Sequence, residues 1–552
     1  MKNNILDTKD YIVFLIYFVI VAAYGLYIYN KKKSASTGSK DYFLAEGSLT
    51  WWAIGASLIA SNISAEQFIG MSGSGFKMGL AIATYEWMAA ATLIVVAVFF
   101  IPVYLKNKIS TMPQFLHQRY NGTVAMIMAV FWLLLYVVVN LTSILYLGAL
   151  AVSSISGFNI DFCMYAIAGF AIIITLGGMK VIGYTDVIQV FFLILGGLAT
   201  TYLALNLVSD HYGTKGILEG YSLMTSKASE HFHMILKPDN ENYIDLPGLS
   251  VLVGGMWIVN LNYWGCNQYI TQRALGADLH TARTGILFAG ILKLFMPLIV
   301  MLPGIAAYVL YENGHLPQLV GGKDGAYSAV LTFLPTGLKG LSIAALTAAI
   351  VASLAGKVNS VSTIFTLDIY SKYFKQNAEQ RDLVLIGRAT VFLALVLAVM
   401  FTWNDLLGIG GVGGFTYIQK YTGFISPGVF AMFFLGMFWK RTTGLAAIVG
   451  VIAGFLLSVF FNEFAPALLG HDNFLYTAYP NGNGGYEIPF HICMGLSFAF
   501  TMLIMILISF GGPKVNPKAF ELDTEMFKVK PSTLVLIIVT LLIIAALYVK
   551  FW

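Results

Sequence analysis

The feature that most constrains this chain is a succession of about fourteen long apolar runs joined by mostly short polar links. They lie near residues 11–29, 52–71, 79–104, 123–153, 160–178, 184–207, 247–270, 285–311, 339–371, 383–402, 408–438, 443–461, 488–511 and 531–551. A helix crosses the hydrocarbon core with about 20 apolar residues. Inside lipid the backbone must satisfy its own hydrogen bonds, and runs of this length do so as helices. The expected fold class is therefore an all-α membrane protein. Composition agrees, with 58% hydrophobic and 11% charged residues against about 25% charged in a soluble domain. That little charge excludes a typical soluble enzyme, a disordered chain and a nucleic-acid binder.

The first run, Tyr11 to Tyr29, is followed by Lys31, Lys32 and Lys33. A signal peptide places its basic residues before the apolar run, so this is read as a retained helix. An even number of spans puts both termini on one side. With the N-terminus outside, 20 Lys and Arg fall on the inner side and 9 on the outer, as the positive-inside rule requires. The inner set includes Arg119, Arg273, Arg283 and Arg388. Lys293, Lys357 and Lys420 fall within spans. The expectation is a multi-pass protein of the cell membrane, a bacterial inner membrane. The longest hydrophilic stretch, 208–246, is too short for a domain with its own core. Cys163, Cys266 and Cys493 sit in or beside apolar runs and read as small hydrophobic side chains.

Two spans are not simply apolar. The run ASLIASNISAEQF carries Ser57, Ser61, Asn62, Ser64, Glu66 and Gln67. The run NLNYWGCNQY carries Asn260, Asn262, Asn267 and Gln268. Polar groups at membrane depth need partners or a water-filled cavity. One such run reads equally well as polar packing between helices. A matched pair five spans apart points instead to an inverted repeat with two broken helices around a central transport site. Tyr85, Glu86 and Trp87 add a carboxylate between two aromatics. That pairing suits a sugar, whose ring face packs on an aromatic and whose hydroxyls donate to the carboxylate. The run GIGGVGGF from Gly408 lacks the preceding strand and following Lys-Ser/Thr of a phosphate loop. Neither metal-ligand spacing nor a nucleophile–base constellation is present, so no enzyme is expected.

The stretches DYFLAEGSLTWWAIGASLIASNISAEQFIGMSGSG, YEWM, VNLTSILYLG, TDVIQVFF, YWGCNQYI, LPGIAAY, NSVSTIFTLDIY and YTGFISPG carry a family resemblance. Along nearly its whole length the chain resembles the sodium/solute symporter family, most of all its bacterial sodium/galactose members. The resemblance implies ten core helices in two inverted five-helix repeats, with broken first and sixth core helices. One extra helix precedes them and three follow. The implied divisions are 1–45, 46–210, 211–246 (an outer loop), 247–440 and 441–552. It also implies alternating access around a sugar held by Asn62, Gln67, Glu86, Asn260, Lys293 and Gln419. Tyr263 would be the inner gate, Met71, Tyr85 and Phe415 the outer gate, and Trp264 a lining residue. Carbonyls of Ala60, Ile63 and Ala349 and the hydroxyl of Ser353 would hold sodium.

Three departures matter. Ala89 replaces a family serine at the sugar site, which leaves galactose, glucose, another hexose or an inositol open. Ala352 replaces a serine beside Ser353. Lys357 stands where the symporters have an apolar residue, and Ser353 and Lys357, four apart, share a helix face. The leading reading is a secondary transporter of a neutral hexose, coupled to sodium. Its alternative is a sodium-independent uniporter or a proton-coupled transporter, in which Lys357, partnered by Asp186, takes the place of the sodium ion. A membrane sugar sensor on the same fold is a further alternative. No cofactor beyond a sodium ion is implied. The expected partners are a small-molecule sugar, sodium or a proton, and the bilayer, with no nucleic acid.

Overall fold

The computed structural model describes residues 6–31, 39–45, 49–64, 66–316, 319, 322–403, 406, 414–481 and 484–552. Residues 408–413 of the glycine run lie outside this set, as do the side chains of Phe415, Glu66 and Lys420. The chain is almost wholly helical. Its first elements are α1 (Thr8–Lys31), α2 (Ser39–Leu44), α3 (Trp51–Asn62), α4 (Ser72–Met78), α5 (Thr84–Val95), α6 (Ile101–Lys106), α7 (Met112–Arg119), α8 (Gly122–Leu134) and α9 (Thr142–Ser156). There follow α10 (Ile160–Thr175), α11 (Gly178–His211), α12 (Ile217–Lys227), α13 (Leu249–Val253), α14 (Gly255–Cys266), α15 (Gln268–Leu275), α16 (Leu279–Val300) and α17 (Leu302–Glu312). The last are α18 (Ala326–Leu331), α19 (Leu338–Thr363), α20 (Gln380–Thr402), α21 (Gly414–Phe438), α22 (Gly444–Val459), α23 (Ala465–Leu469), α24 (Phe490–Phe510) and α25 (Pro531–Lys550). A two-stranded hairpin pairs Tyr479 with Glu487 and Pro480 with Tyr486.

Among the described residues, ten helical stretches are long and apolar enough to cross a membrane, and Ile160–Thr175 and Thr422–Phe438 are shorter apolar helices. The two expected spans missing from that set are the polar ones, and both are broken. Helix α3 stops at Asn62, where Ile63 turns extended (φ −80°, ψ 110°). Helix α14 stops at Cys266, and Asn267 is extended (φ −94°, ψ 130°). Ser and Asn side chains compete with the helical backbone for hydrogen bonds, which makes such runs stopping points. At the second break the Asn267 carbonyl accepts from Thr271 N at 3.0 Å and so opens α15, as an N-cap residue does. Other helix starts are equally legible. Thr111, Asn159, Asp278 and Thr443 each cap the helix that follows through their side chains.

Two compact units emerge. The first comprises Met1–Ala83, Ala129–Phe232 and Gln272–Phe415, the second Thr84–Met128, His233–Thr271 and Thr416–Trp552. Each draws helices from both expected repeats. In the first unit, α3 packs on α16 and α4 on α17. Glycines permit the approach: a side chain at Gly55 would meet Phe288 and the Gly285 carbonyl, and one at Gly304 would meet the Ser72 carbonyl. Small residues let membrane helices close up in this way. The same unit fastens α1 to α19. The buried Asp10 carboxylate accepts from Gly337 N (2.6 Å) and Gly340 N (3.0 Å) at the α19 N-terminus, where the helix dipole favours an anion.

In the second unit, Arg119 does the converse at a C-terminus. Its fully buried guanidinium donates to the carbonyls of Gly436 (2.6 Å), Trp439 (3.0 Å) and Thr442 (3.1 Å) at the end of α21. Counting Arg119 as a loop charge for topology missed this role. Arg119→Met removes three charge-assisted hydrogen bonds, each worth about 1.5–3 kcal/mol. The expected result is a loss of at least about 3 kcal/mol, read as a lower thermal midpoint of the detergent-purified protein. An unchanged midpoint would show that these bonds are replaced by water.

Candidate functional site

The first break sets out one group of expected site residues in the first unit. Asn62 is the last residue of α3, and Gln67 and Met71 lie in the π-helical turn Glu66–Met71 that follows. All three are buried. From α16, the Lys293 ammonium donates to the Asn62 Oδ1. Lys293 is only 1% exposed, so it does not snorkel to a surface, and its charge is held beside an amide oxygen at the helix break.

The expected cation residues are adjacent. A helix end leaves its last carbonyls without intrahelical donors. Ile63 N takes the Ile59 carbonyl at 2.8 Å, and the Ser353 hydroxyl of α19 donates to the Ser61 carbonyl at 3.2 Å. Ala60, Ile63, Ala349 and Ser353 are all buried. The end of α3 thus presents main-chain oxygen towards α19, on the stretch that carries Ser353.

Beneath this lies a charge network that joins α3, α11 and α15. Ser57 Oγ donates to Asp186 Oδ2 at 2.5 Å. Arg273 donates through Nε to Ser57 Oγ at 2.7 Å and through Nη2 to Ser61 Oγ. Arg273 Nη2 lies 3.8 Å from Asp186 Oδ2, with both side chains essentially unexposed. Among the described residues, Asp186 Oδ1 has no hydrogen-bond partner. Topology counting sets Arg273 among the inner-side charges; the structure buries it as the ion-pair partner of Asp186. A side chain at Gly356 would collide with Arg273 Nη2, which places α19 against this network. Lys357, the next residue, is 5% exposed.

The second unit carries the other expected site residues. Tyr85 and Glu86 lie in the first turn of α5, Asn260, Tyr263 and Trp264 on α14, and Gln419 on α21. Helix α14 packs on α5 and α24. Glu86, Asn260 and Trp264 are buried, while Tyr263 and Gln419 are half-buried. Asn260 Nδ2 donates back to the Met256 carbonyl at 3.0 Å. The Tyr263 ring stands edge-on to Trp264 and Tyr269, with centroids 5.1 and 5.6 Å away. Tyr85 Oη lies 3.1 Å from Nε2 of His491, a fully buried residue of α24. Sequence reasoning missed His491; its one signal is a histidine inside an apolar run. Cys163, Cys266 and Cys493 are all buried, as small hydrophobic side chains are.

Residues 42–454 match the model of the sodium:solute symporter family. The chain is 43% identical over 560 residues to a sodium/glucose cotransporter of Vibrio parahaemolyticus, covering 98% of each chain. It is 33% identical over 481 residues to the human sodium/myo-inositol cotransporter 2, covering 82% of this chain and 70% of the relative. Among solved structures, a Na+-coupled sialic acid symporter in a substrate-bound outward-open state superposes with a TM-score of 0.76 at 20% identity. That match covers 92% of this chain and all of the other, and at this identity it speaks to the fold.

Proposed function

The chain belongs to the sodium:solute symporter family, and from that membership we propose that it is a sodium-coupled symporter of a neutral sugar, working by alternating access. It is a multi-pass membrane transporter, not an enzyme. One observation carries the sugar reading: a helix broken at buried Asn62, with the Lys293 ammonium on its amide oxygen. Amide and ammonium together offer directional bonds to several hydroxyls. The family resemblance adds Gln67, Glu86, Asn260 and Gln419 to the proposed set. Tyr263 supplies the aromatic face and the inner gate; Met71, Tyr85 and Phe415 form the outer gate. Buried Glu86 disfavours an anionic solute through like-charge repulsion. The relatives are a sodium/glucose and a sodium/myo-inositol cotransporter by name, and Ala89 removes one hydroxyl contact. Hexoses and inositols therefore belong in the same assay.

Sodium is a hard ion that takes oxygen ligands, as other hard cations do. The carbonyls of Ala60, Ile63 and Ala349 and the Ser353 hydroxyl are the proposed set. A second reading is favoured by one observation, the burial of Lys357 one turn from Ser353. In it the ammonium takes the place of the ion, and transport is uniport or proton-linked. The membrane is proposed to be the cell membrane, with the N-terminus outside.

The test is uptake of labelled galactose, glucose and myo-inositol into proteoliposomes under sodium, potassium or pH gradients. A sodium gradient should drive accumulation of at least one sugar. Gln67→Ala and Tyr263→Ala should each cut uptake at least tenfold, the effect of about 1.4 kcal/mol. Sugar uptake that survives both substitutions would refute the site. Equal uptake with and without sodium would refute the coupling.

A further inference from the structure

Away from the transport residues, the first unit contains an apolar groove of about 290 Å³ between α1, α10, α11 and α20. Val21 and Leu26 of α1, Phe170 and Ile173 of α10, and Val181 of α11 supply hydrocarbon walls. One lining residue is charged: Arg388 of α20. It sits in the third turn of a helix apolar enough to cross a membrane, although topology counting set it with the inner-side charges.

A charged side chain within a membrane helix is kept where it meets a partner, a cavity or a ligand. Among the described residues, Arg388 has no ion-pair partner. Its guanidinium lies 5.9 Å from the centroid of the Tyr42 ring, and its Nε is buried with no hydrogen-bond partner. The remainder of the groove offers a polar ligand almost nothing. A free sugar would lose its hydration there without replacement. A fatty chain loses nothing, and a negative headgroup at the same end would supply what Arg388 lacks.

We propose that this groove binds one anionic glycerophospholipid, with an acyl chain along α1, α10 and α11 and the headgroup phosphate on Arg388. Basic pockets between membrane helices hold anionic headgroups in this manner. Neutralising a lone guanidinium discriminates by net charge, so a zwitterionic lipid with the same chains is held less well. The bound lipid tethers α1, the helix outside the ten-helix core, to α20.

The full-length protein can be partially delipidated in detergent and mixed with equal amounts of phosphatidylglycerol and phosphatidylcholine of identical chains. Native mass spectrometry then counts the lipids retained. The expected result is one retained lipid, with phosphatidylglycerol preferred about fivefold or more. Arg388→Gln should bring that ratio to about one, and Arg388→Lys should keep part of it. Ala22→Trp, which fills the groove and leaves the charge in place, should reduce retention of both lipids. All three variants should elute as monodisperse protein, which separates lost binding from lost folding. A preference that survives Arg388→Gln, retention unaffected by Ala22→Trp, or a dimer that excludes lipid would each overturn the assignment.

Discussion

Arg273→Met is expected to lower stability by about 3–5 kcal/mol, because it strands the Asp186 carboxylate without its cation in a site that water does not reach. Asp186→Asn should cost a similar amount by stranding the guanidinium. The informative variant is the double one. A buried ion pair removed as a whole is often replaced without loss. Asp186→Asn with Arg273→Met should therefore recover most of the thermal midpoint lost by either single change. The three midpoints form a double-mutant cycle, and residues sharing one network are expected to be strongly non-additive. Additive losses would show that Arg273 acts through Ser57 and Ser61 alone. No loss in the single variants would show that the pair is hydrated in solution. Because Ser57 and Ser61 lie one turn apart on α3, the double variant should also free the broken helix. Its uptake should remain impaired while its stability returns.

The second large effect is expected at Lys357. Four residues along a helix correspond to about 6 Å. Two unit charges at that distance repel by roughly 2–3 kcal/mol at an effective dielectric of 20. At the proposed cation position, an ammonium one turn from Ser353 would weaken sodium by roughly one to two orders of magnitude. Lys357→Met should lower the sodium concentration for half-maximal sugar uptake by about tenfold or more. Adding Ala352→Ser supplies a further hydroxyl oxygen and should lower it again. Should the unmodified protein take up sugar equally well without sodium, the double substitution should create sodium dependence, and the ammonium would then be the resident cation. A half-maximal sodium concentration that does not move with Lys357→Met would show that this side chain points away from the cation position. Uptake is the right readout, since a structural role alone would change the amount of folded protein and not its sodium dependence.

How far these sites were legible in the sequence follows from the range of the interactions. The two helix breaks were legible, because Ser61, Asn62, Ser64 and Asn267 set polar groups inside single apolar runs. The apolar spans were legible in the same local way. Fourteen runs of spanning length nevertheless overstate the continuous helices, since two of them are the broken ones. The depth of Lys293 in an apolar run marks it as a cation away from lipid, and the structure buries it against Asn62. Arg273 could not be read this way. Its partner Asp186 is 87 positions earlier, and a basic residue just after a span looks like an ordinary loop charge. Arg119 and Arg388 misled in the same direction: each adds correctly to a positive side, yet one closes a helix end and the other lines a groove. His491 lies 406 positions from the Tyr85 hydroxyl it meets, and no local pattern joins them.

The bond between Asp10 and the start of α19 carries a consequence for biogenesis. The carboxylate leaves the ribosome early, and its partner amide at Gly337 follows 327 residues later. At about 5–20 residues per second, the first helix waits roughly 16–65 s in the membrane before its anion meets a helix end. During that interval the Asp10 carboxylate keeps only its local bond from Asp7 N. The bond can form only once α19 (Leu338–Thr363) has left the ribosome and folded, so nascent chains stopped before α19 should be cleared faster than chains stopped well beyond it.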